Sequence, residues 1–227
     1  MVFPLVLGVS GTLALIALGN WQLDRLEWKT GLLDAIDVRM RQAAADLPKF
    51  PDPEAHAFFR VRVEGVTDGR ELHVLTSDKW LGPGYRILVP LETEDGPILA
   101  DLGFVPEAEK GRSRPPATLR IDGNLQWPRE TDRLFTPDPD RAGNIWFARD
   151  VEVQAAELGT RPVLVVASRI DRLDGGVPAP FAETQPVPVT ANIPNDHLEY
   201  AITWFALAAV WAAMSTWLVV RVARGTA

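Results

Sequence analysis

Residues 2–23, VFPLVLGVSGTLALIALGNWQL, and residues 200–220, YAITWFALAAVWAAMSTWLVV, contain no Asp, Glu, Lys or Arg. A helical run of about 20 apolar residues spans the hydrocarbon core of a bilayer. Both segments reach that length, so the expected fold is an α+β membrane protein. Transmembrane helices at 1–23 and 200–220 would flank an extracytoplasmic domain at 24–199, with a cytoplasmic tail at 221–227. All 30 acidic side chains and 21 of the 23 basic ones then lie between 24 and 199, which gives that stretch a net charge of −9. An acidic domain offers phosphate no basic surface, so nucleic acid is not an expected partner. With 47 % apolar residues the chain can bury a sizeable core, and disorder is excluded as its dominant state.

The first apolar run sits where a cleaved signal peptide would. It lacks a basic n-region, exceeds a typical h-region and continues into a helical pattern, so a retained helix is expected. Lys and Arg near the helix ends set direction. Nothing basic lies between 173 and 220, whereas Arg221 and Arg224 follow at once. This would place both termini in the cytoplasm and the middle domain outside it. Arg25, Lys29, Arg39 and Arg41 after the first helix point the other way, but long domains translocate with little regard to charge. Small residues four apart, Ser10 and Ala14 in the first helix and Ala208 and Ala212 or Ala209 and Ala213 in the second, suit close helix packing. Ordinary alanine usage would give the same spacing.

Beyond the first run, DRLEWKTGLLDAIDVRMRQ keeps a helical apolar face to about residue 42, and Pro48, Pro51 and Pro53 then end it. From FRVRVE at 59–64 the period changes to two. ELHVLTS, RILVPLE, PILADLGFV and TLRIDGNLQW read as further strands, with Asp68-Gly69, Asp95-Gly96 and Asp122-Gly123 as turns. VLVVASRI at 163–170 is apolar on both faces, as a central strand should be, and DVEVQAAEL before it reads as a short helix. Six strands predict a mainly antiparallel β sandwich or barrel. The Pro-rich stretch from Val177 to Pro194 reads as an extended connection.

Enzyme machinery is missing. There is no G-x-S-x-G elbow, H-E-x-x-H, P-loop or C-x-x-C-H, and the chain has no cysteine. LGPGYR at 81–86 suits a turn, not a dinucleotide loop. His73, Ser77 and Asp78 lie too close together on one strand for a triad, and Glu92, Glu94 and Asp95 read as a soluble hairpin tip. His56, His73 and His197 have no metal-site spacing.

The chemistry-bearing residues gather where the apolar runs stop. Asp196 and Glu199 form D-x-x-E, a capping box that would set His197 in the first turn of the second helix. His197, Trp204 and Trp211 recur every seven residues, with Tyr200 beside them. A neutral imidazole over such a surface could ligate haem iron, and the positive helix end would disfavour the imidazolium. The same histidine could instead bond lipid headgroups or cap its own helix. In the first helix Trp21, Arg25, Trp28 and Lys29 share one face, where the cations could meet haem propionates or lipid phosphates.

These boundary stretches, GNWQLDRLEWK at 19–29 and NDHLEYAITWFALA at 195–208, resemble the two ends of the surfeit-locus cytochrome c oxidase assembly proteins. GYRILVPL at 84–91, GFVP at 103–106 and GNIWFARD at 143–150 resemble its internal blocks, in the same order. The resemblance implies an integral membrane protein that assists biogenesis of a haem–copper terminal oxidase. It implies that haem a is held transiently for oxidase subunit I, in contact with the haem A biosynthesis machinery. It makes His197 the candidate axial ligand. Two departures from the family pattern are Leu102, where the family carries Arg before the glycine of GFVP, and the absence of a basic tail before the first helix.

The expected function is therefore a non-catalytic assembly factor in the bacterial inner membrane, with His197 on the iron. Tyr200, Trp204, Trp21 and Trp28 would line the ring, Arg25 and Lys29 would meet the propionates, and lipids would surround the helices. Its rivals are a cofactor-free scaffold or chaperone for oxidase subunits and, more distantly, a membrane-anchored hydrolase using Ser77 and His73.

Overall fold

The computed structural model describes residues 2–112, 114–132, 134–175, 179–180, 185 and 195–225. In chain order they form α1 (Val2–Arg41), β1 (Ala45–Asp46), α2 (Pro53–His56), β2 (Arg60–Thr67), β3 (Leu72–Asp78), β4 (Gly82–Thr93), β5 (Gly96–Pro106), a 3-10 turn at Glu107–Glu109, β6 (Thr118–Gln126), α3 (Val151–Leu158), β7 (Arg161–Arg172), β8 (Ala179–Pro180) and α4 (His197–Gly225). The chain divides into two compact units, Met1–Ile36 with Asn192–Ala227, and Asp37–Ala191.

The first unit is a pair of long helices, both apolar enough and long enough to cross a membrane. α1 runs without a break from the first apolar run to Arg41, as the unbroken helical periodicity requires. Of the proposed small-residue pairs, Ala208 and Ala212 lie on the shielded face of α4, whereas Ser10, Ala14, Ala209 and Ala213 are exposed. α1 contributes glycines instead. A β-carbon on Gly8 would meet Ser215, one on Gly11 the indole of Trp211 and one on Gly19 the ring of Phe205. Glycine lets the two antiparallel backbones approach closely at these positions.

In the second unit the six expected strands appear as β2 to β7, with the short β1 and β8 added. Pairing runs β2–β6–β7–β5–β4, and β4 meets β2 again where Val66 and Thr67 face Glu92 and Leu91, so five strands form a closed ring. β3 extends β4 along its first half. The sheet is mixed, not purely antiparallel, because β5 and β7 run parallel. A parallel pair needs a crossover, and the segment carrying α3 supplies it. α3 is capped at its start by Asp150, whose carboxylate accepts from the Val153 N–H, and stopped by Gly159 in the left-handed region at φ 73°.

β7 lies between β6 and β5 and is buried on both faces, as its two-sided apolar run predicts. One face joins Val61, Val89, Leu119 and Ile121 in one core. The other packs Leu164 and Val166 with Leu99, Trp146 and the Val151, Ala155 and Leu158 face of α3. Asp68-Gly69 lies in the β2–β3 connection and Asp95-Gly96 ends the β4–β5 turn, its glycine opening β5, with positive φ at both glycines. Asp122-Gly123 does not turn the chain. It lies inside β6, where the register against β7 shifts and a β-carbon on Gly123 would strike the Val166 carbonyl. Of the expected connection from Val177 to Pro194, Ala179–Pro180 pairs with β7 and Gln185 bridges Phe104. The rest lies outside the described residues.

Candidate functional site

The helix pair brings the two boundary stretches side by side. Its contacts step along both helices in one antiparallel register: Ser215 at Gly8, Trp211 at Gly11, Phe205 at Gly19, His197 at Gln22 and Asn195 at Thr30. The His197–Trp204–Trp211 stripe is therefore the side of α4 that carries Ala201 and Ala208, at 1 % and 4 % exposure, against α1. Trp211, too far from either helix end to be an interfacial anchor, donates its indole N–H to the Gly8 carbonyl at 3.2 Å. On so apolar a helix that N–H needs an internal acceptor.

His197 is the first residue of α4 and is half-buried. Its Nδ1 lies 2.7 Å from Oε1 of Gln22, which is itself 8 % exposed. A carboxamide oxygen only accepts, so Nδ1 donates to it, and in a neutral imidazole that leaves the lone pair on Nε2. Among the described residues Nε2 has no hydrogen-bond partner. The Asp196–Glu199 capping box is not made by side chains among these residues. The first turn closes through the backbone, with the Tyr200 N–H donating to the Asp196 carbonyl. Tyr200 is exposed and Trp204 half-buried.

Trp21 and Trp28 project outward at 49 % and 59 % exposure, and the Arg25 guanidinium lies between their rings at 5.7 and 5.4 Å from the centroids. This is a paired cation–π arrangement. Lys29 is half-buried. Among the described residues no bond or ring contact joins the Trp21–Arg25–Trp28 group to His197. Gln22, one residue from Trp21, makes the link to α4 instead.

The internal blocks converge too. Arg86 of GYRILVPL donates from Nε to Asp101 Oδ2 at 2.6 Å, and Asp101, fully buried on the strand leading into GFVP, also accepts the Gly103 N–H at 3.0 Å. Arg149 of GNIWFARD approaches Asp101 at 3.8 Å and forks onto Glu130. Burial alone would raise the Glu130 carboxyl. The Arg149 hydrogen bonds and charge outweigh it and hold that carboxyl below its usual range. Leu102, where the family pattern has Arg, is 2 % exposed in the core of the ring.

The SURF1 family model matches residues 10–209. The chain belongs to the SURF1 family. Its relatives include a SURF1-like protein of Monosiga brevicollis, 29 % identical over 90 % of this chain and 82 % of that protein. A SURF1-like protein of Rickettsia felis is 28 % identical over 86 % and 87 %, and Surfeit locus protein 1 of Homo sapiens 26 % identical over 85 % and 69 %. The SURF1 family is linked to cytochrome c oxidase assembly, and the match takes in both boundary stretches and all three internal blocks.

The SURF1 blocks also locate what sequence reasoning passed over. Gln22 lies within GNWQLDRLEWK beside the Trp21–Arg25–Trp28–Lys29 face, and nothing local marks it because its partner His197 is 175 residues away. Asp101 was signalled by a charge in the middle of the apolar strand PILADLGFV. The hydrolase residues do not converge: His73 is buried on Glu71 at 2.7 Å, Ser77 is exposed, and Asp78 accepts the Trp80 and Leu81 N–H groups in the β3–β4 turn. Among the described residues no group of His, Asp and Glu side chains forms a metal cage.

Proposed function

We propose that this SURF1 chain is a non-catalytic assembly factor that holds haem a at the outer boundary of the bacterial inner membrane and delivers it to subunit I of a terminal oxidase. The observation that carries the reading is the meeting of the two boundary stretches at His197, whose Nε2 has no hydrogen-bond partner among the described residues. Haem is the cargo, and its iron takes an imidazole nitrogen as axial ligand. His197 holds the iron, and Tyr200, Trp204, Trp21 and Trp28 offer ring surface. Arg25 and Lys29 meet the propionates. The attraction of the Trp21 and Trp28 rings for Arg25 does not consume its N–H donors, so the guanidinium keeps its fork for a carboxylate. In this reading both termini are cytoplasmic, the β unit is periplasmic, lipids surround the helices, and the haem A biosynthesis machinery supplies the cargo.

The test is complementation. In cells lacking this chain, haem a in the terminal oxidase is expected to fall. Wild type restores it, and His197→Ala does not, although it accumulates in the membrane. Full restoration by His197→Ala would overturn the haem role and leave a cofactor-free scaffold for oxidase subunits.

A further inference from the structure

We propose that Gln22 is the positioning residue that decides which nitrogen of His197 faces the cargo and how firmly it holds. The inference rests on the haem-carrier reading and adds a residue to it. A neutral imidazole has one N–H, and either nitrogen can carry it. At 2.7 Å from Gln22 Oε1, Nδ1 is the nitrogen that keeps the proton, so the electron pair stays on Nε2. Without that acceptor the ring samples both tautomers and is free to rotate about its own side-chain bonds. Gln22 is itself well held, being 8 % exposed, with Gly19 packed against Phe205 on one side along the helix and Thr30 bonded to Asn195 on the other. A donor fixed in this way gives the metal a preformed ligand.

The choice of an amide matters as much as its position. A carboxylate in the same place would draw the Nδ1 proton toward itself and raise the basicity of Nε2, strengthening the bond to a metal. A neutral carboxamide draws it weakly. The ring is therefore oriented without becoming a strong donor, which suits a protein that must give its cargo up. Gln22 sets a hold between the loose binding of an unoriented imidazole and the tight binding of a carboxylate-backed one.

Two measurements on the full chain in detergent test this. In the haem-free protein labelled with 15N-histidine, with the His197 signals assigned by their loss in His197→Ala, wild type is expected to show the proton on Nδ1. Gln22→Leu should give a tautomer mixture, and Gln22→Glu should keep the proton on Nδ1. In the haem a-loaded protein, loss to excess apomyoglobin should be about tenfold or more faster for Gln22→Leu, the size of effect that removing a ligand's hydrogen-bond partner takes. It should be slower than wild type for Gln22→Glu, with a lower midpoint potential. A proton on Nε2 in wild type, or a Gln22→Leu variant with unchanged tautomer and unchanged haem loss, would overturn the proposal. If the chain takes up no haem, the carrier reading fails while the tautomer measurement still reads the role of Gln22.

Discussion

Asp101 has no exposed surface, and Arg86 beside it has a side chain only 12 % exposed. Breaking a buried pair by removing one partner leaves an uncompensated charge and typically costs about 3–5 kcal/mol, whereas replacing both by apolar groups is often near neutral. Arg86→Met should therefore lower unfolding stability in denaturant by about 3 kcal/mol, and Arg86→Met with Asp101→Leu should recover only part of that loss, because Asp101 also accepts the Gly103 N–H. Glu130 gives a pH signature. Its carboxyl is held below the ordinary value of 4.5, first against the opposing effect of burial and then by the Arg149 hydrogen bonds and charge. A depressed folded-state value contributes stability that is fully present above the unfolded value and is lost as pH falls through the folded one. Acid unfolding curves of wild type should thus show a loss below about pH 4.5. Arg149→Met should flatten this loss, and identical curves would contradict the account. Gln22 and Asp101 show what single residues hide. Gln22 lies inside a block that carries the family resemblance and Asp101 just before one, but the partner that gives each its role lies elsewhere, His197 at the other end of the chain and Arg86 on the neighbouring strand.

Among the elements, the six main strands, the long first helix and α3 were legible because period-two and period-3.6 patterns are local. The ring closure was not. It depends on Val66 and Thr67 meeting Leu91 and Glu92, two pairs with no sequence signature. The Asp122-Gly123 misreading has a related cause, since the same dipeptide serves a hairpin turn or a close approach of two strand backbones, and only the pairing partner decides. The helix pair likewise needs glycines of α1 as well as the expected Ala208 and Ala212 of α4, because Trp211 and Phe205 need the room that Gly11 and Gly19 leave. Gly11→Val should thrust a side chain into the Trp211 indole and lower the thermal midpoint of the helix pair in detergent, followed by tryptophan fluorescence. Trp211→Ala in the same chain should restore part of it. A midpoint unmoved by Gly11→Val would mean that the helices do not pack through this seam.

At the scale of the whole molecule, an acidic β unit and two long helices with uncharged apolar runs divide the chain: the ring of strands carries the buried charge network, and the helix pair carries the His197–Gln22 contact. The proposed sidedness, with the β unit outside the cytoplasm and both termini inside, rests on Arg221 and Arg224 after α4. The chain has no cysteine, so single replacements report cleanly. Lys79→Cys, in the exposed β3–β4 turn, should react with an impermeant thiol reagent added to spheroplasts. Arg224→Cys should react only in inverted membrane vesicles, and the reverse pattern would place the β unit in the cytoplasm. The proposed hold of His197 Nε2 on haem a is read by purifying wild type and His197→Ala in detergent from cells that make haem A and recording reduced and oxidised spectra. Wild type should carry haem a and the variant should not. A haem-free wild type, or equal haem in both, would contradict the account.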